Sequence, residues 1–261
     1  MEKRSVAVFD LGGVLIDWNP RYLYRKLFAG NNDAMEHFLA NVCTLNWNSQ
    51  QDAGRTLAEA CALLKSQHPN HAAMIDAWRE RYDEMLGGTI PGMIELLDEL
   101  RSQGVPIYAL SNWSAETFPA AQKRFDFLQW FHAILLSGHV KLMKPDPRIY
   151  QLLFDTHKIE PAEAVYVDDV QANVDAATTL GIARRALHRR GGSAQRVHWR
   201  WIARLRQRLE RLSMKSERML LLRGDRTGSC STTNTNVYCN QFLPVSNTCL
   251  CYHFRQRHSY Q

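Results

Sequence analysis

Residues 6–15 read "VAVFDLGGVL", an apolar run that ends on Asp10 and is followed by two glycines. Short runs rich in β-branched and aromatic residues are typical of strands that are buried on both faces of a parallel sheet. Such a strand, predicted over residues 5–9, would place the Asp10 carboxylate at its carboxyl end. Open α/β sheets bind ligands at that edge. The stretch therefore predicts both a fold class and the place of a site.

Beyond residue 90 the sequence alternates between strand-like and helix-like segments. Helices are predicted where apolar residues recur every three or four positions, and strands where short apolar runs occur. The predicted strands cover residues 105–112, 133–138 and 164–169. The predicted helices cover residues 91–104, 146–157 and 170–181. This alternation predicts an α/β fold with a Rossmann-like parallel sheet, whose connections are right-handed helical crossovers.

The segment between the first strand and the helix at residue 91 is too long for a single crossover. Four stretches within it show helical spacing of apolar residues: "PRYLYRKLFAG", "DAMEHFLANV", "AGRTLAEACALLKSQ" and "HAAMIDAWRERYDEML". We therefore predict a helical cap over residues 18–88, inserted above the carboxyl edge of the sheet. The catalytic core would comprise residues 1–17 and 89–183.

Four residues in the predicted cap combine a charge or an aromatic ring with a position that could face a substrate. These candidates for substrate specificity are Trp18, Arg21, Asp52 and Arg55. Side chains of this kind also pack along apolar surface or extend into solvent. Only the packing of the cap can decide between these roles.

Charge divides the chain into two unlike parts. Residues 1–183 hold 16 basic and 23 acidic residues, a net charge of −7, whereas residues 184–261 hold 16 and 3, a net charge of +13. No apolar stretch approaches the roughly 20 residues that span a bilayer, and the first residues lack the apolar length of a signal peptide. We therefore expect a cytoplasmic protein without membrane contact. Cysteine is sparse before residue 184, so a disulfide framework is not expected there.

Residues 184–261 form a basic tail that interleaves arginine with tryptophan, as in "RVHWRWIARLRQR". The interpretation we favour is a tail of little order that is foreign to the preceding sequence, for example through a shifted reading frame or a fusion. A second interpretation is a genuine basic appendage that contacts nucleic acid, a partner not expected for the acidic remainder. The third is a zinc site with the ligands Cys230, Cys239, Cys249, Cys251 and His253.

Polar side chains follow the predicted strands and would meet at one sheet edge. They are Asp10, Ser111, Asp168 and Asp169, and Lys144 follows the third strand. Converging carboxylates repel one another unless a cation is present, and Mg²⁺ prefers oxygen ligands. An aspartate can attack a phosphoryl group when a cation and a lysine neutralise the phosphate. The constellation therefore predicts a Mg²⁺ site that handles a phosphate.

Four stretches, in this order and spacing, resemble the motifs of the haloacid dehalogenase superfamily: "VFDLGGVL", "ALSN", "KPDPRIY" and "YVDD" followed by Asn173. The resemblance covers residues 5 to about 183. It is strongest to the sugar-phosphatase branch that includes alpha-D-glucose-1-phosphate phosphatase, and to the phosphatase domain of soluble epoxide hydrolases. It implies a Rossmann-like core, a helical cap, Mg²⁺ and hydrolysis of a small phosphate ester, such as a sugar phosphate, through an aspartyl-phosphate.

The resemblance also implies a role for each matching position. Asp10 would be the nucleophile and a metal ligand, and Lys144 would balance charge between it and the phosphate. The phosphate-binding residues would be Ser111, Asn112 and Asn173. The remaining metal-site residues would be the Gly12 carbonyl, Asp169 and, in the outer coordination sphere, Asp168.

Position 12 departs from the usual motif of the superfamily, in which a second aspartate protonates the leaving group. Loss of a positioned acid or base typically costs about 10²- to 10⁴-fold in rate, so Gly12 predicts weak activity or a substitute proton donor. Two alternatives to a phosphatase follow: a 2-haloacid dehalogenase, whose halide leaves without a proton, and a catalytically impaired binding protein. The acidic pair Asp168 and Asp169 favours the phosphatase, because haloacid dehalogenases work without metal and lack that pair.

Overall fold

The computed structural model describes residues 6–182, so the basic tail and its five predicted zinc ligands lie outside the described residues. With strands numbered along the chain, the central sheet contains β1 Val6–Phe9, β4 Ile107–Ser111, β5 Ala133–Leu136 and β6 Ala164–Val167. The order across the sheet is β5-β4-β1-β6, and every pair is parallel. The predicted α/β fold with a parallel sheet is confirmed.

The sheet is buried on both faces, which explains the unbroken apolar sequence of β1. Ala7 and Phe9 belong to an apolar cluster on one face, and Val6 and Val8 belong to a second cluster on the other. The helix α6 Met93–Ser102 contributes to the first cluster, while α9 Pro147–His157 and α10 Gln171–Thr179 contribute to the second. Alternate residues of a strand face opposite sides of a sheet, so helices on both sides require apolar residues at every position.

The three predicted helices around the sheet begin and end within two residues of their predicted bounds. Asp146 caps α9, since its Oδ1 accepts a hydrogen bond from the backbone nitrogen of Arg148 at 2.9 Å. Pro147 occupies the first helical position, where its missing N–H costs nothing. The α6 helix ends just before Gly104, which has a positive φ of 70°. The predicted helices over residues 146–157 and 91–104 are therefore confirmed.

Two short helices follow strands of the sheet. They are α7 Phe118–Arg124, which lies between β4 and β5, and α8 Ser137–Val140, which begins directly after β5. The predicted strand over residues 133–138 therefore ends at Leu136 and turns into a helix.

None of the helices in the described part of the chain is both long enough and apolar enough to span a membrane.

A two-stranded antiparallel ribbon, β2 Ile16–Trp18 with β3 Leu86–Thr89, lies at the base of the helical segment. Neither strand was predicted, because β2 has three residues and β3 reads "LGGT", too short or too glycine-rich for a strand pattern. The predicted division points after residues 17 and 88 both fall within this ribbon. The division into a core and a cap stays a prediction.

Five helices lie between the two ribbon strands: α1 Arg21–Leu27, α2 Asn32–Asn41, α3 Leu45–Asp52, α4 Leu57–Gln67 and α5 Ala72–Glu80. Four of them fall within the predicted helical stretches. The α3 helix was missed, because its sequence "LNWNSQQD" is almost entirely polar and buries only Trp47 and Gln51. It begins at a Thr44 cap, whose hydroxyl accepts a hydrogen bond from the Trp47 nitrogen at 2.9 Å.

Candidate active site

The carboxyl ends of three parallel strands bring the acidic residues together. Asp10 directly follows β1 and Asp168 directly follows β6, while Ser111 ends β4. Because these strands are in register beside one another, their ends meet at one edge of the sheet. Carboxylate oxygens of Asp10, Asp168 and Asp169 all lie within 4.8 Å of one another. The described residues thus contain the cluster of three carboxylates that the strand ends predict.

Three donors converge on one oxygen of Asp10. Its Oδ1 accepts hydrogen bonds from the Leu11 nitrogen and from the Ser111 hydroxyl, each at 2.7 Å. The Lys144 Nζ lies 3.0 Å from the same Oδ1. The hydrogen bonds that Leu11 and Ser111 donate to Asp10 both go to Oδ1, not to Oδ2. Oδ1 is therefore held in place by hydrogen bonds, and Oδ2 is the oxygen that could react with a ligand.

Lys144 supplies a buried positive charge between two aspartates. Its Nζ lies 2.8 Å from Oδ2 of Asp168 and also donates to the Leu110 carbonyl at 2.8 Å. Burial alone would lower the pKa of Lys144, but the charges of Asp10 and Asp168 reverse that effect and raise its pKa above the usual value. The lysine is therefore an ammonium ion with a fixed orientation.

Asn112 holds the backbone of that lysine. Its Nδ2 donates to the Lys144 carbonyl and its Oδ1 accepts from the Lys144 nitrogen, each at 2.9 Å. Both polar ends of the amide are engaged in this pair of hydrogen bonds. The side chain thus positions Lys144, and a role of Asn112 in phosphate binding would rest on its backbone.

Asp168 is surrounded by donors on both oxygens. Oδ1 accepts from the Val170 nitrogen at 2.8 Å, and Oδ2 accepts from the Tyr166 hydroxyl at 2.6 Å. The Asn173 amide lies 3.1 Å from each of the two oxygens. These donors, together with Lys144, occupy the lone pairs that a metal would need. The arrangement suits a carboxylate that orients its neighbours through hydrogen bonds. The Asn173 amide is used to hold Asp168 in this way, and its predicted contact with phosphate stays a prediction.

Two residues of this site were missed at the sequence level. The first is Tyr166, two positions before Asp168. Since alternate positions of a strand share a face, the period of the strand could have predicted that their side chains lie on the same side of the sheet.

The second is Gly13, which has a positive φ of 77°. A Cβ atom there would lie 2.9 Å from Cγ of Asp169. The second glycine after Asp10 is thus required by the close approach of Asp169, whereas a Cβ atom at Gly12 would meet nothing within 4 Å.

Burial raises the pKa of Asp10 from 3.8 to about 7, even though Lys144 lowers it, and the nearby Asp168 raises it further. A single lysine thus leaves an excess of negative charge among three carboxylates. A bound cation would add positive charge and favour the ionised form of Asp10.

The donor set fits a small hard cation. Carboxylate oxygens are the ligands that Mg²⁺ prefers, and Asp10 and Asp169 both offer oxygens within the cluster of 4.8 Å. The backbone at Gly12 and Gly13 lies beside them without side chains, so a carbonyl ligand would be unobstructed. Asp10 and Asp169 would hold the ion directly, with Asp168 acting through hydrogen bonds.

Three of the predicted specificity candidates contact residues of the helical segment, and their role in substrate binding stays a prediction. Arg21 forms a two-pronged ion pair with Glu36, with both N–O distances at 2.6 Å, on the exposed surface. Arg55, which follows α3, donates to the side-chain oxygen of Gln51 four residues earlier. The Trp18 ring packs edge-on against Trp78 with 6.2 Å between ring centroids.

Asp52 is the cap candidate that the structure couples to the sheet edge. It ends α3, and its Oδ2 accepts a hydrogen bond from Asn48 at 3.0 Å. Burial raises the pKa of Asp52 from 3.8 to about 7, a backbone N–H of Ser114 lowers it, and the charge of Asp10 raises it. The half-buried Asp52 is therefore within electrostatic reach of the candidate nucleophile.

The chain is similar in sequence to a known protein family and to characterised proteins. Residues 7–187 match the family model described as haloacid dehalogenase-like hydrolase. The chain is 25% identical over 182 residues to the phosphorylated carbohydrates phosphatase of Thermotoga maritima, covering 69% of this chain and 83% of that protein. It is 28% identical over 181 residues to the sesquiterpene phosphatase astK of Aspergillus oryzae, covering 68% of this chain and 87% of the relative.

A solved structure agrees with the same assignment. A HAD family enzyme of Bacteroides thetaiotaomicron, crystallised with magnesium and inorganic phosphate, superposes with a TM-score of 0.57 at 25% identity. The superposition covers 75% of this chain and 97% of that enzyme. The family match covers more than half of the chain and includes every strand end described above. The protein belongs to the haloacid dehalogenase-like hydrolases.

Proposed function

We propose that this hydrolase is a Mg²⁺-dependent phosphatase that cleaves a small phosphate monoester through an aspartyl-phosphate on Asp10. A sugar phosphate is the favoured substrate. The phosphatase relatives of Thermotoga maritima and Aspergillus oryzae support a phosphate ester, and the magnesium and phosphate bound by the Bacteroides enzyme support the cofactor.

One observation carries the proposal: the Lys144 ammonium lies 3.0 Å from Asp10 and 2.8 Å from Asp168, beside the third carboxylate of the cluster. A carboxylate nucleophile and a dianionic phosphate repel each other unless fixed positive charge lies between them. Lys144 supplies part of that charge, and its buried position keeps it where the phosphate arrives. When bound, Mg²⁺ would neutralise the remaining charge on the phosphate oxygens.

The residues of the chain divide the work among them. The donors on Oδ1 of Asp10 fix that carboxylate so that Oδ2 attacks the phosphorus atom. The Ser111 hydroxyl and Lys144 then hold oxygens of the transferred phosphoryl group, a preorganised electrostatic contribution. Asp168, held by Tyr166 and Asn173, keeps the lysine in place. Water finally attacks the phosphorus atom and releases phosphate from Asp10.

The test is hydrolysis of a panel of phosphate monoesters by the full chain, with Mg²⁺ and with the metal chelated. The panel is repeated with Asp10→Asn, which keeps the shape of the side chain but removes the nucleophile. We expect metal-dependent release of phosphate that falls by about 10⁴-fold or more in the variant. Asp155→Asn, the same change at an exposed residue of α9, is the matched control and should retain activity.

The two alternatives give different results in the same experiment. A dehalogenase would release halide from a 2-haloacid in the absence of metal and would leave the phosphate esters intact. A binding protein without catalytic activity would turn over neither phosphate esters nor 2-haloacids, while its circular dichroism spectrum would be that of a folded protein. Metal-independent phosphate release, or full activity of Asp10→Asn, would also contradict the proposed function.

A further inference from the structure

The reaction proposed above needs a proton that its known groups do not supply. An alkoxide is a strong base, so the departing oxygen of an alkyl phosphate requires a proton as the bond to phosphorus breaks. Lys144 is held between two aspartates and a carbonyl, and the Tyr166 hydroxyl donates to Asp168. At position 12, next to the nucleophile, a glycine leaves open space. A donor must therefore come from another element.

We propose that Asp52, at the end of α3, is the general acid and base of this hydrolase. The inference rests on the proposed phosphatase function, and it gives a catalytic role to a carboxylate in the helical segment. In the first step the Asp52 carboxyl would give its proton to the leaving oxygen. In the second, its carboxylate would take a proton from the attacking water.

Hydrogen bonds join the backbone of Asp52 to the segments that follow β4 and β5. Its carbonyl accepts a hydrogen bond from the Ser137 hydroxyl at 2.6 Å, and that hydroxyl also accepts from the Trp113 nitrogen at 3.0 Å. Ser137 begins α8 directly after β5, and Trp113 follows Ser111 by two residues. One hydroxyl therefore joins the end of α3 to the loops that carry the phosphate-binding residues.

Two glycines allow this close approach. A Cβ atom at Gly138 would lie 2.8 Å from the Trp113 carbonyl, and one at Gly54 would lie 3.0 Å from Cγ of Lys141. Gly54 also has a positive φ of 102°. A larger residue at Gly54 would push the end of α3 away from α8, and one at Gly138 would push α8 away from the loop after β4. The helix end is thus packed against the sheet edge, and the position of Asp52 follows from that packing.

The side chain of Asp52 faces the loop beyond Ser111. Its carboxylate accepts from a backbone N–H of Ser114 and from Asn48, and the charge of Asp10 acts on it. The Tyr82 phenol, from the turn before β3, is a second titratable group that interacts with it. With its pKa raised to about 7 by burial, Asp52 can both give and accept a proton near neutral pH.

Atoms and electrons balance in both half-reactions. Oδ2 of Asp10 forms a bond to phosphorus while the ester oxygen leaves with its bonding electrons and takes the Asp52 proton. Water then forms a bond to phosphorus as the acyl-phosphate bond to Asp10 breaks, and the water proton goes to Asp52. Both carboxyl groups return to their starting states, and the alcohol and phosphate are released.

The test compares two substrates that differ in their need for a proton. In p-nitrophenyl phosphate the phenolate leaves without protonation, whereas glucose 6-phosphate must release an alkoxide. We measure the first half-reaction alone, as release of glucose or p-nitrophenolate in a single turnover with enzyme in excess, because the second half-reaction is common to both substrates. We expect Asp52→Asn in the full chain to lower the rate of glucose release by about 10²- to 10⁴-fold and that of p-nitrophenolate release by less than about tenfold. Asp33→Asn, the same change at an exposed residue of α2, is the matched control.

A rescue experiment adds a second readout. Because space is open at position 12, Gly12→Asp in the Asp52→Asn background can place a carboxyl group beside Asp10. We expect it to restore glucose 6-phosphate hydrolysis by at least about tenfold and to restore the pH dependence of kcat near pH 7.

Three outcomes would overturn the inference. An equal loss for both substrates would mean that Asp52 only supports the structure, and an unchanged rate for glucose 6-phosphate would mean that another group supplies the proton. Absence of phosphate release from both substrates by the folded wild-type chain would remove the proposed function and this inference with it. Activity of the wild type on p-nitrophenyl phosphate separates the first two outcomes from the third.

Discussion

The sheet edge and the helical segment over residues 21–80 differ in how deeply their paired charged residues are buried. At the sheet edge, Asp10, Asp168 and Lys144 are buried and paired with one another. In the helical segment, Arg21 pairs with Glu36 at the surface, where both side chains are more than 40% exposed. Topology forces the first set together, since the ends of adjacent parallel strands must meet. Nothing comparable directs helix residues inward, so there the packing of single helices decides.

Buried and exposed ion pairs also differ in how much they contribute to stability. Buried charges lose their hydration and depend on their partners, so that removal of one partner leaves an unpaired charge. Exposed pairs contribute little, because water and salt screen them. Substitutions at the two regions should therefore differ in size by several kcal/mol.

The largest effect is expected for Lys144→Met, which leaves Asp10 and Asp168 buried without their counter-charge. We expect the free energy of unfolding at pH 8 to fall by about 3–5 kcal/mol, as measured by urea denaturation. The loss should be smaller at pH 5, because without the lysine the pKa of Asp10 rises further and the carboxyl group becomes neutral. Lys141→Met changes an exposed lysine in the same loop and should cost little; equal losses for both would contradict the comparison.

A smaller effect is expected for Asp52, which joins the two regions. Burial raises the pKa of Asp52 from 3.8 to about 7. Its protonated form is thus favoured in the folded state, so its contribution to stability is full below pH 4 and is lost as the pH rises to 7. One pKa unit corresponds to about 1.4 kcal/mol, and solvent screening reduces the effect for a half-buried group. We expect Asp52→Asn to gain about 1–3 kcal/mol over wild type between pH 4 and pH 8.

The measurement is urea denaturation of wild type, Asp52→Asn and Asp33→Asn at a series of pH values without added metal. Asp10 titrates in all three chains, so only differences between them are compared. A difference between Asp52→Asn and wild type that stays constant from pH 4 to pH 8 would show that the Asp52 carboxyl titrates normally.

Gly13→Ala tests how closely the backbone approaches Asp169. A side chain at φ 77° is strained by about 1–2 kcal/mol, and the new methyl group would overlap the Asp169 carboxylate. We expect a loss of that size in unfolding free energy and a rise of about tenfold or more in the Mg²⁺ concentration for half-maximal activity. Gly12→Ala is the stability control, since its methyl group meets nothing within 4 Å.

The smallest effect is expected for Arg21→Ala. Its ion pair with Glu36 is exposed, so we expect a change of less than about 0.5 kcal/mol in unfolding free energy. Because Arg21 is held at the surface, kcat/KM for a substrate should change by less than about twofold. A large rise in KM would instead show that Arg21 leaves Glu36 to bind substrate.

The fold was predictable from the sequence because its signals are local. Apolar runs of four or five residues, glycine after helices and the Asp146-Pro147 start of α9 each act within one element. The ribbon of β2 and β3 was not predictable, because three residues and "LGGT" contain no period. The α3 helix was missed for the related reason that its burial depends on Trp47 and Gln51 alone.

The strand-end residues could be named from the sequence because the order of the motifs and the parallel topology fix where the chain places Asp10, Ser111 and Asp168. The contacts that hold these residues in place could not be predicted in the same way. That Asn112 holds the lysine backbone, and that Gly13 makes room for Asp169, depends on distances between segments far apart in the chain.

Residue types and their spacing are enough to establish the α/β class, the family resemblance and the acidic cluster, since these depend on local periodicity and on the order of motifs. Only the tertiary structure separates Asp52 from Arg21, Arg55 and Trp18, which the sequence treats alike. The reason is physical: burial, and therefore the pKa and reach of a carboxylate, is a property of the surrounding packing and not of the residue.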